Sequence, residues 1–264
     1  MMQKNDTYEN QILLEGMTSI SALINGLRSG VNDRRLIRVL VDREKLKSKA
    51  KELSFLRAVS SELGYSIEEA DVNAIDAMTN GTTHGGIVAI CTDRTIPSLD
   101  VAITQDASVW QRPDGFFVML EGIEDPYNFG YALRSLYASG VDGIVLSPRN
   151  WMNAASVVAR SSAGASELLP MAVCEPETAA RLLQQRGYRV ICAGIRDSVS
   201  LYESNMTRPL LLVVGGEKRG ISRTLLACAD EIVRIDYGRE FRGSLSTASA
   251  ATVLAFEVLR QNSK

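Results

Sequence analysis

Three stretches carry residue types that could do chemistry: GIEDPYNFGYALRS, VVGGEKRGIS and RGSLSTASAA. The first brings Glu121, Asp125, Asn128 and Arg134 to the point where an apolar strand, 116–120, gives way to a helix, 128–138. Ligands of open parallel sheets bind at the carboxyl ends of strands, so these side chains are placed to meet one. Their plainer reading is a turn at Asp125-Pro126, a helix cap at Asn128 and a surface arginine. In the second stretch Gly215 and Gly220 have the spacing of a phosphate loop, yet Ile221 stands where that loop needs lysine, and Glu217 would repel phosphate. The dinucleotide fingerprint fails as well. What is left is a turn whose backbone can approach a ligand closely and which offers one carboxylate, a match for amino or sulfonium charge; the plainer reading is a tight turn between strand and helix. The third stretch is a run of hydroxyls, Ser244, Ser246, Thr247 and Ser249, opening a helix that is apolar on nearly every side through Leu259. Such a helix is expected to be buried, holding its first-turn N–H groups rigidly beside a donor-rich loop. Its plainer reading is a buried terminal helix with a serine cap.

Periodicity gives the elements that must position these residues. Apolar positions at helical spacing predict helices over 13–30, 49–63, 72–78, 153–161, 176–186 and 222–228. Short apolar runs predict strands over 36–42, 65–69, 86–91, 143–146, 188–193, 209–214 and 231–235. The early elements alternate as a small α/β layer domain, and 116–146 reads as a parallel βαβ unit. Between them, 96–113 has weak periodicity, two prolines and polar punctuation, the marks of a linker. The expected division is therefore 1–95, a linker over 96–113, and 114–264.

With 264 residues, and 29 Lys and Arg against 31 Asp and Glu, the chain carries no global charge that names a partner. Its apolar and charged fractions are those of ordinary folded proteins and argue against a disordered or membrane-spanning class. The polar start, MMQKNDTYEN, has no apolar run behind it, and a cytoplasmic protein without membrane attachment is expected. Cys91, Cys174, Cys192 and Cys228 lie far apart and His84 is the single histidine. Zinc spacings are thus absent, no metal is expected, and the thiols read as reduced core residues. Charge is uneven locally: Arg28, Arg34, Arg35 and Arg38 begin a basic run that continues to Arg57, either a face for an RNA backbone or a solvated surface.

Together the three stretches resemble the signatures of the SpoU/TrmH family of the SPOUT methyltransferase superfamily, and the likeness covers nearly the whole chain. Asn128, Gly130 and Arg134 match the N-x-G-x-x-x-R of the first signature, Gly215, Glu217 and Gly220 the second, and Ile235, Ser244 and Leu245 the third. Residues 11–91 are similar to the family's ribosomal-protein-like RNA-binding domain. The resemblance implies an α/β fold whose C-terminal parallel-sheet domain holds a deep trefoil knot, which general folding rules would not suggest. It also implies a homodimer through that domain, with the last helix in the interface. The implied reaction is methyl transfer from S-adenosyl-L-methionine to a ribose 2′-hydroxyl of RNA, ribosomal RNA before transfer RNA. By the same resemblance Val214, Gly215, Gly216, Glu217, Gly220, Ile235, Tyr237, Leu245 and Ser246 hold the cofactor, while Arg134, Asn128, Glu217 and Ser244 serve the reaction. A guanidinium stays protonated, so Arg134 is expected to anchor an RNA phosphate and stabilise developing alkoxide charge rather than act as a base. Two positions depart from the family pattern: Ser246 stands where asparagine is usual, and Asp236-Tyr237 replaces Pro-Met. The first departure keeps an alternative open, a non-catalytic or weakly active RNA-binding protein on the same scaffold.

Overall fold

The computed structural model describes residues 11–79, 83–148 and 154–263. The N-terminal part runs β1 (Gln11–Glu15), α1 (Gly16–Arg28), β2 (Leu36–Asp42), α2 (Ala50–Leu63), β3 (Ser66–Ala70), α3 (Val72–Asp76) and β4 (Ile87–Thr92). Its strands form one sheet in the order β1-β4-β2-β3, with β4 antiparallel to both neighbours and β2 parallel to β3. Residues Ile87 to Cys91 of this interior strand are all buried, so both of its faces are covered. The start of the expected helix over 13–30 is corrected here. Residues 13–15 belong to β1: Leu14 is buried opposite Ala89, and Gly16, at φ +76°, turns the chain into α1. A pair of leucines fits either period, and pairing with β4 decides between them.

The rest of the chain runs α4 (Leu99–Gln105), α5 (Ala107–Trp110), β5 (Phe116–Glu121), α6 (Pro126–Ala138), β6 (Gly143–Leu146), α7 (Ala155–Ser161), α8 (Ala165–Leu168), β7 (Met171–Val173), α9 (Pro176–Gln184), β8 (Arg189–Ala193), β9 (Val199–Ser200), β10 (Leu210–Gly215), α10 (Arg223–Leu226), β11 (Glu231–Arg234) and α11 (Thr247–Asn262). Asn153, the expected first residue of the helix before Ser161, lies outside the described residues. All seven strands are parallel, in the order β7-β6-β5-β10-β8-β11-β9. Helices on both faces explain the uninterrupted apolar runs FFVML and LLLVV in β5 and β10. Phe116, Val118 and Leu120 face a layer built from α6 and α11, whereas Phe117, Met119 and Val213 face α4, α5 and α9.

Residues 96–113 do not behave as a linker. Leu99, Ala102, Ile103 and Trp110 are buried in the second of these layers, and the Trp110 ring stacks on Phe117 with centroids 4.8 Å apart. Helices of 7 and 4 residues complete too few turns to display a period, so the sequence looked structureless. The same brevity hides β7 and β9, of 3 and 2 residues. Burial pushes the Cys91 and Cys192 thiols up to about 12, as suits core residues of separate clusters.

Buried charge joins the two sheets. Arg34 Nε and Asn32 Nδ2 both donate to Glu167 Oε2, at 2.9 and 2.6 Å, and Arg94 donates to the backbone carbonyls of Val31, Ser166 and Leu169. Helices α1 and α8 meet at backbone distance here. A Cβ on Gly26 would lie 2.1 Å from the Glu167 carbonyl oxygen, and one on Gly164 would lie 2.4 Å from Ala22 Cβ. This junction removes Arg34 from the expected RNA face, because its guanidinium is buried against a carboxylate it cannot leave without stranding a charge. Arg28 and Arg38 remain at the surface but pair with Glu62 and Glu68. Arg35 is exposed with no carboxylate at ion-pair distance among the described residues.

Candidate active site

Strand order brings the carboxyl ends of β5, β10, β8 and β11 to one edge of the sheet, although they are far apart in sequence. Helix α6 starts there. Asp125 caps it, its Oδ1 accepting from Asn128 N at 2.7 Å, and Pro126 occupies the first turn, where a missing N–H costs nothing. Because Asp125 and not Asn128 is the cap, the Asn128 amide is free to work elsewhere. Its Nδ2 donates to Glu217 Oε1 at 2.9 Å.

Glu217 stands on a loop closed by its own backbone. Gly216 N donates to Glu121 O at 2.6 Å and Gly220 N to Gly216 O at 2.9 Å, with Gly220 at φ +63°. A Cβ on Gly216 would lie 2.1 Å from Gly122 O, and one on Gly215 would lie 2.5 Å from Gly220 C. The glycines are thus required first by the loop's contact with itself and with Gly122; closeness to a ligand is the result. Gly216→Ala is accordingly expected to destabilise the protein by about 1–3 kcal/mol through overpacking. Cofactor affinity should fall with it, which a thermal melt and calorimetric titration of the same sample would check.

Helix α11 closes the site. Ser246 caps it, Oγ accepting from Ser249 N at 3.2 Å. Thr247 N donates to Glu217 Oε1 at 3.4 Å and Thr247 Oγ1 to Gly215 O at 3.0 Å. One carboxylate oxygen therefore collects the first, second and third stretches, while Glu217 Oε2 has no hydrogen-bond partner among the described residues.

Between the loops lies a cleft of about 510 Å³. Val214, Gly215, Gly216, Glu217, Gly220, Ile235, Tyr237 and Leu245 line it, as does Ser244. Tyr237 is held in place by its hydroxyl, which accepts from Leu245 N at 3.2 Å. Ser246 is not on the wall; its hydroxyl is spent as a cap. Asparagine caps as well as serine does, so Ser246→Asn is expected to change stability by no more than about 0.5 kcal/mol. Methyl transfer at the wild-type rate in that variant would show that the departure from the family pattern is neutral; a raised rate would show that the longer amide reaches the cleft. Thr247, one of the hydroxyls of the third stretch, also lines the cleft, and so do Ala193, Gly194 and Ile195 at the end of β8, which sequence reading missed. Nothing local marks them, because β8 is next to β10 only in the sheet.

Two residues sit apart. Arg134 is exposed on α6, does not line the cleft of its own chain, and makes no hydrogen bond or ion pair among the described residues. Helix α11 is not wholly buried as expected: Ala251, Leu254, Ala255 and Val258 pack inward, but Val253 and Phe256 are 36% and 43% exposed. No described residue of the chain covers that face.

Residues 115–256 match the SpoU rRNA Methylase family. The chain belongs to that family. Residues 13–97 match a second family, described as RNA 2'-O ribose methyltransferase substrate binding. This SpoU methylase is 28% identical to the 23S rRNA (guanosine-2'-O-)-methyltransferase RlmB of Shewanella oneidensis, over 75% of this chain and 79% of the relative. It is 29% identical to the putative TrmH family tRNA/rRNA methyltransferase YacO of Bacillus subtilis, over 91% and 93%. The SpoU methyltransferase AviRb from Streptomyces viridochromogenes, solved in complex with the cofactor AdoMet, superposes with a TM-score of 0.75 over 98% of this chain and 94% of its own, at 21% identity, and shares the fold. As a SpoU methylase the chain is an RNA 2′-O-methyltransferase. The cleft has the make-up of a nucleoside-cofactor site: its volume is that of an ordinary small-molecule site, Val214, Val233 and Leu245 give an apolar wall for a flat base, and the loop backbone gives polar partners.

Proposed function

We propose that this SpoU methylase modifies ribosomal RNA in the cytoplasm as a homodimer, with residues 1–95 binding RNA and the rest of the chain, the packed segment 96–113 included, forming a knotted transfer domain. The observation that carries the site assignment is Glu217 Oε1, on which Asn128 from α6 and Thr247 from α11 converge at the rim of the cleft. Val214, Ile235, Tyr237 and Leu245 would hold S-adenosylmethionine. When bound, that group supplies a methyl made electrophilic by a positive sulfur. The protein's own part is to bring a ribose oxygen into line and to favour the charge that grows on it. Asn128 and Glu217 orient the ribose, Ser244 completes the polar wall, and Arg134 holds an adjacent phosphate while donating toward the oxygen, whose proton leaves to that phosphate or to water.

Dimerisation is supported by the uncovered apolar face. Val253 and Phe256 on α11 are exposed, as are Tyr127 and Tyr131 on α6, the helix against which α11 packs. In a dimer through this face, Arg134 serves the partner's cleft. Ribosomal RNA is favoured because relatives carry that substrate in their names, and a guanosine of 23S rRNA is the first nucleotide to examine. Mapping ribose methylation in RNA from cells with and without the gene tests this. Loss of one ribosomal RNA methyl group is expected; a loss confined to transfer RNA would overturn the substrate assignment.

A further inference from the structure

We propose that Phe241, flanked by Arg239 and Arg242 at the mouth of the cofactor cleft, is a platform on which a base of the substrate RNA stacks. Phe116, Phe117 and Phe129 are almost wholly buried, as phenylalanine ordinarily is, but Phe241 is 58% exposed on the loop between β11 and α11. It is nonetheless supported. Its ring lies against the backbone of Gly243, where a Cβ would come within 2.6 Å of ring atom Cζ, and its centroid is 5.8 Å from that of Tyr237, which is itself tied to Leu245 N. A large flat surface is thus propped from behind and left open in front.

The charges beside it choose the ligand. Arg239 and Arg242 are exposed and make no ion pair or hydrogen bond among the described residues. The nearby acids are Glu240, exposed on the same loop, and Asp236, already engaged by Arg234 Nε at 2.8 Å and by the Ser200 hydroxyl. An exposed aromatic ring with an unpaired arginine two residues before it and another directly after it in the chain matches a nucleotide, whose base lies between two phosphates. It does not match S-adenosylmethionine, whose sulfonium and ammonium outweigh its carboxylate and would be repelled by two unpaired cations. Phe241 and Arg242 both line the rim of the cleft, so a base stacked there would lie beside the nucleotide being methylated. Sequence-tolerant stacking is how single-stranded RNA is commonly held.

This inference rests on the reading of the chain as an RNA methylase, and its test separates the two. Full-length wild type, Phe241→Leu and Phe241→Trp are titrated with a fluorescein-labelled single-stranded RNA carrying the mapped site, and separately with S-adenosylmethionine. Phe241→Leu keeps apolar bulk but loses the ring, and its RNA affinity is expected to fall about 5- to 150-fold, the range for one lost base–aromatic stack, with cofactor affinity nearly unchanged. Phe241→Trp should bind RNA as wild type does, and its new emission should be quenched by unlabelled RNA. Arg239→Gln and Arg242→Gln should each reduce the logarithmic salt slope of RNA binding by about 0.7. If Phe241→Leu weakens cofactor binding and spares RNA, the ring is part of the cofactor site and the platform is wrong. If it changes neither, the platform is equally wrong. Wild type that fails to bind RNA at all would instead contradict the methylase reading itself.

Discussion

Arg134→Ala is expected to lower methyl transfer by a factor of about 10²–10³, the usual cost of removing a donor aimed at developing negative charge, with S-adenosylmethionine bound as tightly as before. The separation of the two effects follows from position. Arg134 lies on α6 outside the cleft of its own chain, so the cleft wall formed by Val214, Ile235 and Leu245, proposed to hold the cofactor, does not depend on it. Loss of cofactor binding together with transfer would make it a structural residue. The proposed dimer adds a sharper consequence. Arg134→Ala and Gly216→Ala damage different ends of a shared site, so mixed dimers of the two impaired variants should be more active than either variant alone, because one of their two sites has both the arginine and the cleft intact. Verified mixed dimers no more active than either variant alone would place Arg134 and the cleft it serves on the same chain.

Glu167→Ala is expected to be the most destabilising single change outside the apolar cores, about 3–5 kcal/mol, because it strands the Arg34 guanidinium in the junction between the sheets. Urea titration of wild type and variant measures it. Burial alone would raise the Glu167 carboxyl above its ordinary value of 4.5, but the Arg34 and Arg94 guanidinium groups and the Asn32 amide outweigh burial and hold it lower. A carboxyl depressed in the folded state stabilises fully above its unfolded value and loses that stabilisation as pH falls through the folded value. Wild type should therefore lose stability below about pH 4.5 more steeply than Glu167→Gln does. Equal acid slopes in the two proteins would mean that Glu167 contributes nothing through its charge. Disruption of the exposed Arg28–Glu62 pair is expected to leave the urea midpoint unchanged, since solvent already screens it.

Long or strongly periodic elements were legible in the sequence. FFVML, LLLVV and GIVL announced buried strands, and α6 was read over 128–138, two residues short of its start at Pro126, because Asp125-Pro126 reads as a turn when it is the helix cap and first turn. The site was legible where residue type alone sufficed: the glycines of the second stretch can be nothing else, because Gly216 sits against Gly122 O. Three kinds of information were not legible. Short elements such as α5 and β9 have no period to read. Neighbours in the sheet, such as the Gly194 end of β8, join the cleft only through strand order. Charge count does not say which arginines are free, and Arg34 turned out to hold the junction where an RNA contact was expected. The Ser246 position shows the limit of a motif. Serine there looked like a weakened site, yet it caps α11 and leaves the cleft wall to Leu245 and Thr247. The non-catalytic alternative loses its main support with that observation and with membership of the methylase family.

The most direct test of the cleft as a site for RNA ribose methylation is transfer of labelled methyl from S-adenosylmethionine to purified ribosomal RNA, followed by complete digestion to nucleosides. Label is expected in a single 2′-O-methylnucleoside, reduced about 10²–10³-fold with Arg134→Ala and suppressed by S-adenosylhomocysteine. Label in a base-methylated nucleoside, or a wild-type protein that neither binds the cofactor nor transfers its methyl group, would contradict it.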